Sequence, residues 1–127
     1  MKAEFSNLKI LVVEDNESNI MFFKSAFKRT GATLLIALDG EQAIDIVITN
    51  PDIDIILMDI HMPKMNGLEA AKAIKTIDPN LPIIFQTAYV LDYKQKQCEE
   101  AGGDFFLEKP IRLASLYDSI KELIIKK

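Results

Sequence analysis

The stretch Asp54-Ile-Ile-Leu-Met-Asp-Ile-His-Met-Pro-Lys-Met-Asn-Gly67 decides the fold of this 127-residue chain. Residues 55–58 form a short apolar run bounded by polar residues, a pattern typical of a strand buried on both faces of a parallel sheet. The run stops at Asp59, and the following proline ends the strand because it cannot donate to a sheet ladder. Asn66 and Glu69 have capping-box spacing, which predicts a helix start. Asp59 is therefore expected where open α/β sheets place their ligands, unless it only caps a turn.

The composition is that of one globular domain spanning residues 1–127, with a core over about 8–125. Hydrophobic residues make up 49% of the chain and charged residues 27%, which excludes a disordered chain. The net charge of −4 argues against binding nucleic acid by bulk electrostatics. A single cysteine, Cys98, excludes an internal disulfide. We see no membrane-length apolar run or signal peptide, and we expect a cytoplasmic protein.

Five apolar runs along the chain predict five strands, at residues 8–13, 32–38, 55–58, 81–86 and 104–107. Segments with helical spacing separate and follow them, and the segment 91–101 has the weakest apolar stripe. Five alternations of strand and helix imply a parallel sheet with helices on both faces. The clearest helical stripes comprise Ile20, Phe23 and Phe27; Ala43, Ile44, Val47 and Ile48; Leu68, Ala71 and Ile74; and Leu113, Leu116, Tyr117, Ile120 and Ile124.

Polar residues stand at the carboxyl ends of four of these strands: Glu14 with Asp15, Asp59, Thr87 and Lys109. Parallel strands bring these ends to one edge of the sheet, so the five residues are expected to lie together. Crowded carboxylates raise one another's pKa unless cations intervene. One lysine and one divalent cation would balance three carboxylates. Carboxylate oxygens without a histidine or cysteine cluster favour Mg²⁺, and this chemistry indicates phosphoryl transfer to Asp59 as nucleophile.

At these residues the chain resembles the receiver (response-regulator) domains of two-component signalling, from about Leu8 to the last helix. The matching pieces are Val12-Val13-Glu14-Asp15-Asn16, Met58-Asp59-Ile60-His61-Met62-Pro63-Lys64-Met65-Asn66-Gly67, Thr87-Ala88 and Glu108-Lys109-Pro110. The resemblance implies a flavodoxin-like (βα)5 fold, a three-layer αβα sandwich whose five-stranded parallel sheet has the order 2-1-3-4-5.

The resemblance also implies a role for each matching residue. Asp59 would accept the phosphoryl group of a phosphohistidine. Glu14 and Asp15 would bind Mg²⁺ with Asp59, and the backbone carbonyl of His61 would be a further ligand. Thr87 and Lys109 would contact the phosphoryl group, and the bond between Lys109 and the next proline would be cis.

A conformational switch follows from the same resemblance. Thr87 and Phe106 occupy the switch positions, so phosphorylation would change the face made by the fourth helix, fifth strand and fifth helix. His61 and Tyr89 stand where similar proteins tune the lifetime of the aspartyl phosphate. Without the resemblance, Phe106 reads as a core aromatic, Cys98 as a structural residue, and the His61 side chain as facing solvent.

Glu14-Asp15-Asn16, with Asn19, is most like the C-terminal receivers of hybrid sensor histidine kinases. The expected partners are therefore a histidine kinase or a histidine phosphotransfer domain, with no direct contact to nucleic acid and no membrane segment. As an isolated domain the chain would be no enzyme beyond its own phosphoryl transfer and slow autodephosphorylation; a parent protein would be a kinase. It would be a monomer or a weak phosphorylation-dependent dimer.

Three other functions stay open. A phosphatase of the haloacid-dehalogenase type needs a second aspartate two residues after the nucleophile, where this chain has His61. A flavodoxin needs a Ser/Thr/Gly-rich phosphate loop after the first strand, where Glu14 and Asp15 would repel a flavin phosphate. A pseudo-receiver that serves only as a scaffold would have lost the acid pair, Asp59 or Lys109.

Overall fold

The computed structural model describes residues 5–62, 64–87 and 95–126. Its elements alternate strand and helix as predicted, with bounds within two residues of those expected for the strands. In chain order they are β1 (Lys9–Val13), α1 (Glu17–Lys28), β2 (Thr33–Ala37), α2 (Gly40–Thr49), β3 (Ile55–Asp59), α3 (Gly67–Ile77), β4 (Ile83–Thr87), α4 (Gln95–Glu100), β5 (Phe105–Glu108) and α5 (Leu113–Lys126). The first residues of the predicted helix 91–101 lie outside the described residues.

The five strands form one parallel sheet in the order β2-β1-β3-β4-β5, which confirms the expected topology. The chain leaves β1 toward β2 on one side, then returns to β3 and continues to β4 and β5 on the other. The connections after β1 and β3 therefore run in opposite directions. In open sheets this reversal leaves a crevice at the carboxyl ends of the two strands, where ligands bind.

The sheet separates two apolar cores because alternate side chains of each strand point to opposite faces. One face of β3 presents Ile56 and Met58 to α2, α3 and α4, and the other presents Ile55 and Leu57 to α1 and α5. All five residues of β3 are buried. This confirms β3 as a central strand covered on both faces, so Asp59 is held at the end of a rigid element.

Two expected core residues are exposed instead. Ile48 of α2 is 59% exposed, whereas Ile46 packs against the core. At about 100° per residue, Ile48 points roughly 120° away from the direction of Ala43 and Val47, and Ile46 only about 80°. In α5, Leu113 is 45% exposed and burial begins at Leu116, so the first turn of that helix lies outside the core.

Side-chain caps set the starts of three helices. Asn16 Oδ1 accepts a hydrogen bond from the backbone N–H of Asn19 at 3.0 Å, and Asp39 caps α2 in the same way. At α3, the Asn66 side chain accepts from Glu69 N while the Glu69 side chain accepts from Asn66 N, which confirms the predicted capping box. None of the helices in the part of the chain described above is long and apolar enough to span a bilayer.

Candidate functional site

The ends of β1, β3 and β5 bring four of the predicted residues together. Carboxylate oxygens of Glu14, Asp15 and Asp59 all lie within 4.8 Å of one another. Lys109 follows β5, and its Nζ is 3.1 Å from Glu14 Oε1 and 3.3 Å from Asp59 Oδ1. The predicted clustering of these side chains at one edge of the sheet is therefore confirmed. A set of unrelated helix caps does not account for it.

Hydrogen bonds to both carboxylate oxygens hold the Glu14 side chain in place. Its side chain is buried, and its two carboxylate oxygens accept from Lys109 Nζ and from the backbone N–H of Asn16, each at 3.1 Å. Its own N–H donates to Ala37 O in β2 at 2.9 Å. A buried carboxylate is tolerated when it is paired and hydrogen-bonded, and both conditions hold here. The Glu14 side chain is therefore held at the edge of the crevice, in contact with Lys109.

Asp59 is 4% exposed and has a perturbed acidity. Its pKa is raised from 3.8 to about 6, first by burial and then by the charge of Glu14. The Lys109 ammonium, and to a smaller degree the His61 backbone N–H at 3.3 Å from Oδ1, oppose this rise. Asp59 is therefore mostly ionised at neutral pH, and a further cation would lower its pKa. Such an environment is typical of functional carboxylates.

The acidic group fits a magnesium ion by its chemistry. Three carboxylates offer hard oxygen donors within one ion's reach, and the exposed Asp15 leaves the group open to solvent. No histidine nitrogen or cysteine sulfur belongs to this group among the described residues. A divalent cation would offset both the cost of burying the charged Asp59 carboxylate and its repulsion from Glu14.

Gly67 allows the loop after β3 to lie directly against the backbone of Asp59. The motifs and spacings of the sequence had not pointed to this role of the glycine. A Cβ on Gly67 would lie 2.3 Å from Asp59 O and 2.9 Å from Ile60 Cα, and the Gly67 N–H donates to Ile60 O at 2.8 Å. Lys64, in the same loop, has a φ of 69°, which is uncommon for a residue with a side chain. The Asn-Gly pair at the helix start was the available signal, since glycine permits close backbone approach.

Thr87 is the last residue of β4, the strand that neighbours β3, and it is fully buried. Its carbonyl accepts the backbone N–H of Lys109 at 2.8 Å, while the neighbouring Gln86 carbonyl accepts the N–H of Ile60 at 3.1 Å. The backbone of β4 thus ties the loops after β3 and β5 together. The peptide bond between Lys109 and Pro110 is cis, as the resemblance implied.

The structure describes two of the three remaining predicted residues. Phe106 is half-buried and packs against the core beneath α2, α3 and α4. His61 is also half-buried and its Nε2 is shielded from solvent, so the expectation that its side chain faces solvent is wrong. The residue before His61 is held against the start of α3, because the Gly67 N–H donates to Ile60 O at 2.8 Å. Tyr89 lies outside the described residues.

Comparison with known proteins decides the family. The model of the response regulator receiver domain matches residues 10–121. The chain belongs to this family. This receiver domain is 38% identical over 126 residues to hybrid signal transduction histidine kinase I of Dictyostelium discoideum, covering 93% of the domain and 7% of the kinase. It is 34% identical over 119 residues to sporulation initiation phosphotransferase F of Bacillus subtilis, covering 93% of the domain and 94% of that protein.

A solved structure agrees in fold. The receiver domain of a sensor histidine kinase from Pseudomonas aeruginosa, with a magnesium ion coordinated in its active site cleft, superposes with a TM-score of 0.84 at 30% identity. The match covers 92% of this receiver domain and 97% of that chain. Several curated relatives are much longer, and this receiver domain spans less than a fifth of their length.

Proposed function

We propose that this receiver domain is a phosphoacceptor of a two-component phosphorelay, in which Asp59 receives a phosphoryl group from a phosphohistidine. The observation that carries the proposal is the position of Lys109 Nζ, within 3.3 Å of both Glu14 and Asp59, beside a carboxylate group within one ion's reach. One buried nucleophile, a fixed lysine and an acidic pair are the parts that phosphoryl transfer to an aspartate requires.

In the proposed transfer, a carboxylate oxygen of Asp59 attacks the phosphorus as the bond from phosphorus to the histidine nitrogen breaks. The electron pair of that bond returns to the imidazole, which then takes up a proton from solvent. Lys109 stabilises the negative charge spread over the phosphoryl oxygens, and we assign the Thr87 hydroxyl to one of those oxygens. Mg²⁺, held by Glu14, Asp15, Asp59 and the His61 carbonyl, would neutralise charge on the transferred group.

We further propose that phosphorylation shifts the populations of two conformations through Thr87 and Phe106. Thr87 is the last residue of β4, and Phe106 lies on β5 directly opposite Phe85 of β4. Movement of Thr87 toward the phosphoryl group would thus be transmitted to the face made by α4, β5 and α5. His61, adjacent to Asp59 in the same loop, and Tyr89 are assigned to tuning the lifetime of the aspartyl phosphate.

The partners we propose are a histidine kinase or a histidine phosphotransfer domain, acting in the cytoplasm where ATP maintains phosphohistidine donors. Similarity to hybrid kinases supports the proposal that this domain is the receiver segment of such a protein or is related to one. On its own the domain would catalyse only its phosphorylation and slow autodephosphorylation. Nucleic acid would not be a direct ligand, because the net charge is −4.

Phosphorylation of intact protein tests the proposal. Incubation with acetyl phosphate, or with a phosphohistidine donor, and Mg²⁺ should add one phosphoryl mass located at Asp59. Asp59→Asn should remove the added mass, and excess chelator should suppress it. Labelling of the Asp59→Asn variant at an unchanged level, or labelling indifferent to the chelator, would sink the assignment.

A further inference from the structure

The helix α4 is joined to β5 by a hydrogen-bonded turn, residues 101–104. The N–H of Gly103 donates to Cys98 O and the N–H of Gly102 donates to Glu99 O, each at 2.9 Å. Gly102 has a φ of 98°, in the left-handed region that favours glycine. This pattern is the Schellman motif, in which the residues after a helix bond its last carbonyls. The end of α4 is therefore closed by its own backbone.

The two glycines of this turn lie directly against neighbouring elements. A Cβ on Gly102 would be 2.6 Å from Cγ of Lys75 in α3, and a Cβ on Gly103 would be 2.5 Å from Cε2 of Phe85 in β4. Carbon atoms that are not bonded to each other pack at about 3.5–4.0 Å, so neither position has room for a side chain. The turn is therefore in close contact with both α3 and β4.

Asp104 holds the same turn on β4 by two hydrogen bonds. Its N–H donates to Ile83 O at 2.7 Å, and its Oδ2 accepts the N–H of Ile83 at 2.9 Å. The carboxylate thus bonds the start of β4, before the pairing of β4 with β5 begins at Ile84 and Phe105. Lys75 Nζ lies 3.5 Å from the same carboxylate oxygen. Because the two hydrogen bonds close one ring, Asp104 and Ile83 have little freedom to move apart.

The chain uses an aspartate in this way twice. Asp54 donates its N–H to Lys9 O and accepts the N–H of Lys9 on its Oδ2, both at 2.8 Å. Asp54 and Asp104 each stand one residue before a strand, at the edge of the sheet opposite the candidate site. The ring at Asp54 lies between β1 and β3, whereas the ring at Asp104 holds the segment that carries α4 and β5. Asp54 therefore offers a matched control for Asp104.

We infer that residues 101–104 form a fixed joint about which α4 and β5 turn when the site is phosphorylated. Three constraints meet there: the closed end of α4, the contacts of the two glycines, and the ring of Asp104 and Ile83. At the other end of β5, Lys109 Nζ lies 3.3 Å from Asp59 Oδ1, so a change at the site acts on that end. A segment held at one end and displaced at the other turns about the held end. The joint stands independently of the site's role, whereas its part in the switch rests on the function proposed above.

Three variants test the ring at the joint. Asp104→Ala removes the acceptor of the Ile83 N–H, whereas Asp104→Asn retains an oxygen that can accept it. Asp54→Ala removes the equivalent acceptor of the Lys9 N–H and is the matched control. Hydrogen exchange of single amides is measured by NMR in the three variants and in wild type. Each protein is compared in Mg²⁺ with and without beryllofluoride, which mimics a phosphoryl group on an aspartate.

In wild type, beryllofluoride should leave the exchange rate of Gly103 unchanged within about twofold, while rates in α4 and at the carboxyl end of β5 change by more. In Asp104→Ala, the lost hydrogen bond should raise the rates of Ile83 and Gly103 about three- to tenfold, and beryllofluoride should then alter the rate of Gly103. Asp104→Asn should stay near wild type. Asp54→Ala should raise the rate of Lys9 by a similar factor and leave the response of α4 and β5 intact.

Three results would overturn the inference. In wild type, a change at Gly103 as large as that at the carboxyl end of β5 would show that the joint moves. A response to beryllofluoride that leaves α4 and β5 unchanged would show that nothing turns about the joint. Rates of Ile83 and Gly103 as slow in Asp104→Ala as in wild type would show that the aspartate does not hold it. If Asp104→Ala does not fold, the wild-type comparison of Gly103 with the end of β5 decides the question.

The same data separate this inference from the proposed function. If beryllofluoride with Mg²⁺ changes no amide of wild type, the proposed function fails. The exchange rates of Ile83 and Gly103 in the proteins without beryllofluoride then decide whether the joint exists. Rates raised in Asp104→Ala and unchanged in Asp54→Ala support the joint, and equal rates in the two variants refute it.

Discussion

The replacement of Asp59 by asparagine should stabilise the metal-free protein, increasingly so as the pH rises. The pKa of Asp59 is raised from 3.8 to about 6 in the folded protein. A carboxyl whose folded pKa is raised contributes stability that is complete below the unfolded pKa and is lost as the pH rises through the folded pKa. The ionised Asp59 therefore opposes folding above about pH 6, and an uncharged side chain of the same size removes that penalty.

The magnitude follows from the size of the shift. Two pKa units correspond to about 3 kcal/mol, most of which develops between pH 4 and pH 7.5. Asp59 is 4% exposed, so screening by solvent removes little of this effect. The free energy of unfolding of Asp59→Asn, minus that of wild type, should thus increase by about 2–3 kcal/mol over this pH range.

Urea denaturation with chelator at pH 4, 5, 6 and 7.5 measures this difference. Asp52→Asn is the control: Asp52 is exposed, and its hydrogen bond to Lys9 lowers its pKa, so its replacement should have a small effect of the opposite sign. A difference between Asp59→Asn and wild type that does not change with pH would refute the reasoning. A uniform loss of stability would show that Asp59 is a structural cap.

Three further predictions concern the same site. Gly67→Ala should lower the free energy of unfolding by about 1–3 kcal/mol, because the new Cβ would meet backbone atoms of Asp59 and Ile60; wild-type stability in urea would contradict the close approach. Mg²⁺ at a hundred times its dissociation constant for wild type should raise the free energy of unfolding of wild type by about 2.7 kcal/mol, and the same concentration should raise that of Asp15→Asn by less. Thermal melts with and without chelator measure this effect, and equal shifts in melting temperature for the two proteins would exclude Asp15 as a ligand. A beryllofluoride mimic should change hydrogen exchange most in α4 and β5, and Lys109→Ala should abolish that response; changes confined to β1 and α1 would place the switch elsewhere.

The residues of the site were largely predictable from the sequence because of one geometric rule. Glu14, Asp59 and Lys109 each follow an apolar run, and parallel strands must bring their carboxyl ends to the same edge. The caps at Asn16 and Asn66 were likewise readable, since a cap depends on residues only three apart. The function and the strand order came from the resemblance of whole motifs.

Periodicity proved insufficient where two positions compete for one face. Ile46 and Ile48 are both isoleucines on α2, yet only Ile46 packs against the core, because the direction of the buried face is set by the sheet beneath the helix. Leu113 continues the apolar stripe of α5 but precedes its first buried residue. The extent of the sheet, which is a property of five strands together, decides these cases.

By itself, the sequence determined the alternation of strands and helices, the central position of β3 and the set of charged residues at the sheet edge, because these depend on local pattern and chain direction. Tertiary structure alone decided how closely those residues approach. The raised pKa of Asp59, the contact of Gly67 with the backbone of β3 and the hydrogen bonds between Asp104 and Ile83 all arise between segments that are distant in sequence or turned back on one another. Burial and electrostatic interaction change steeply over a few ångströms, and only the packed chain sets distances on that scale.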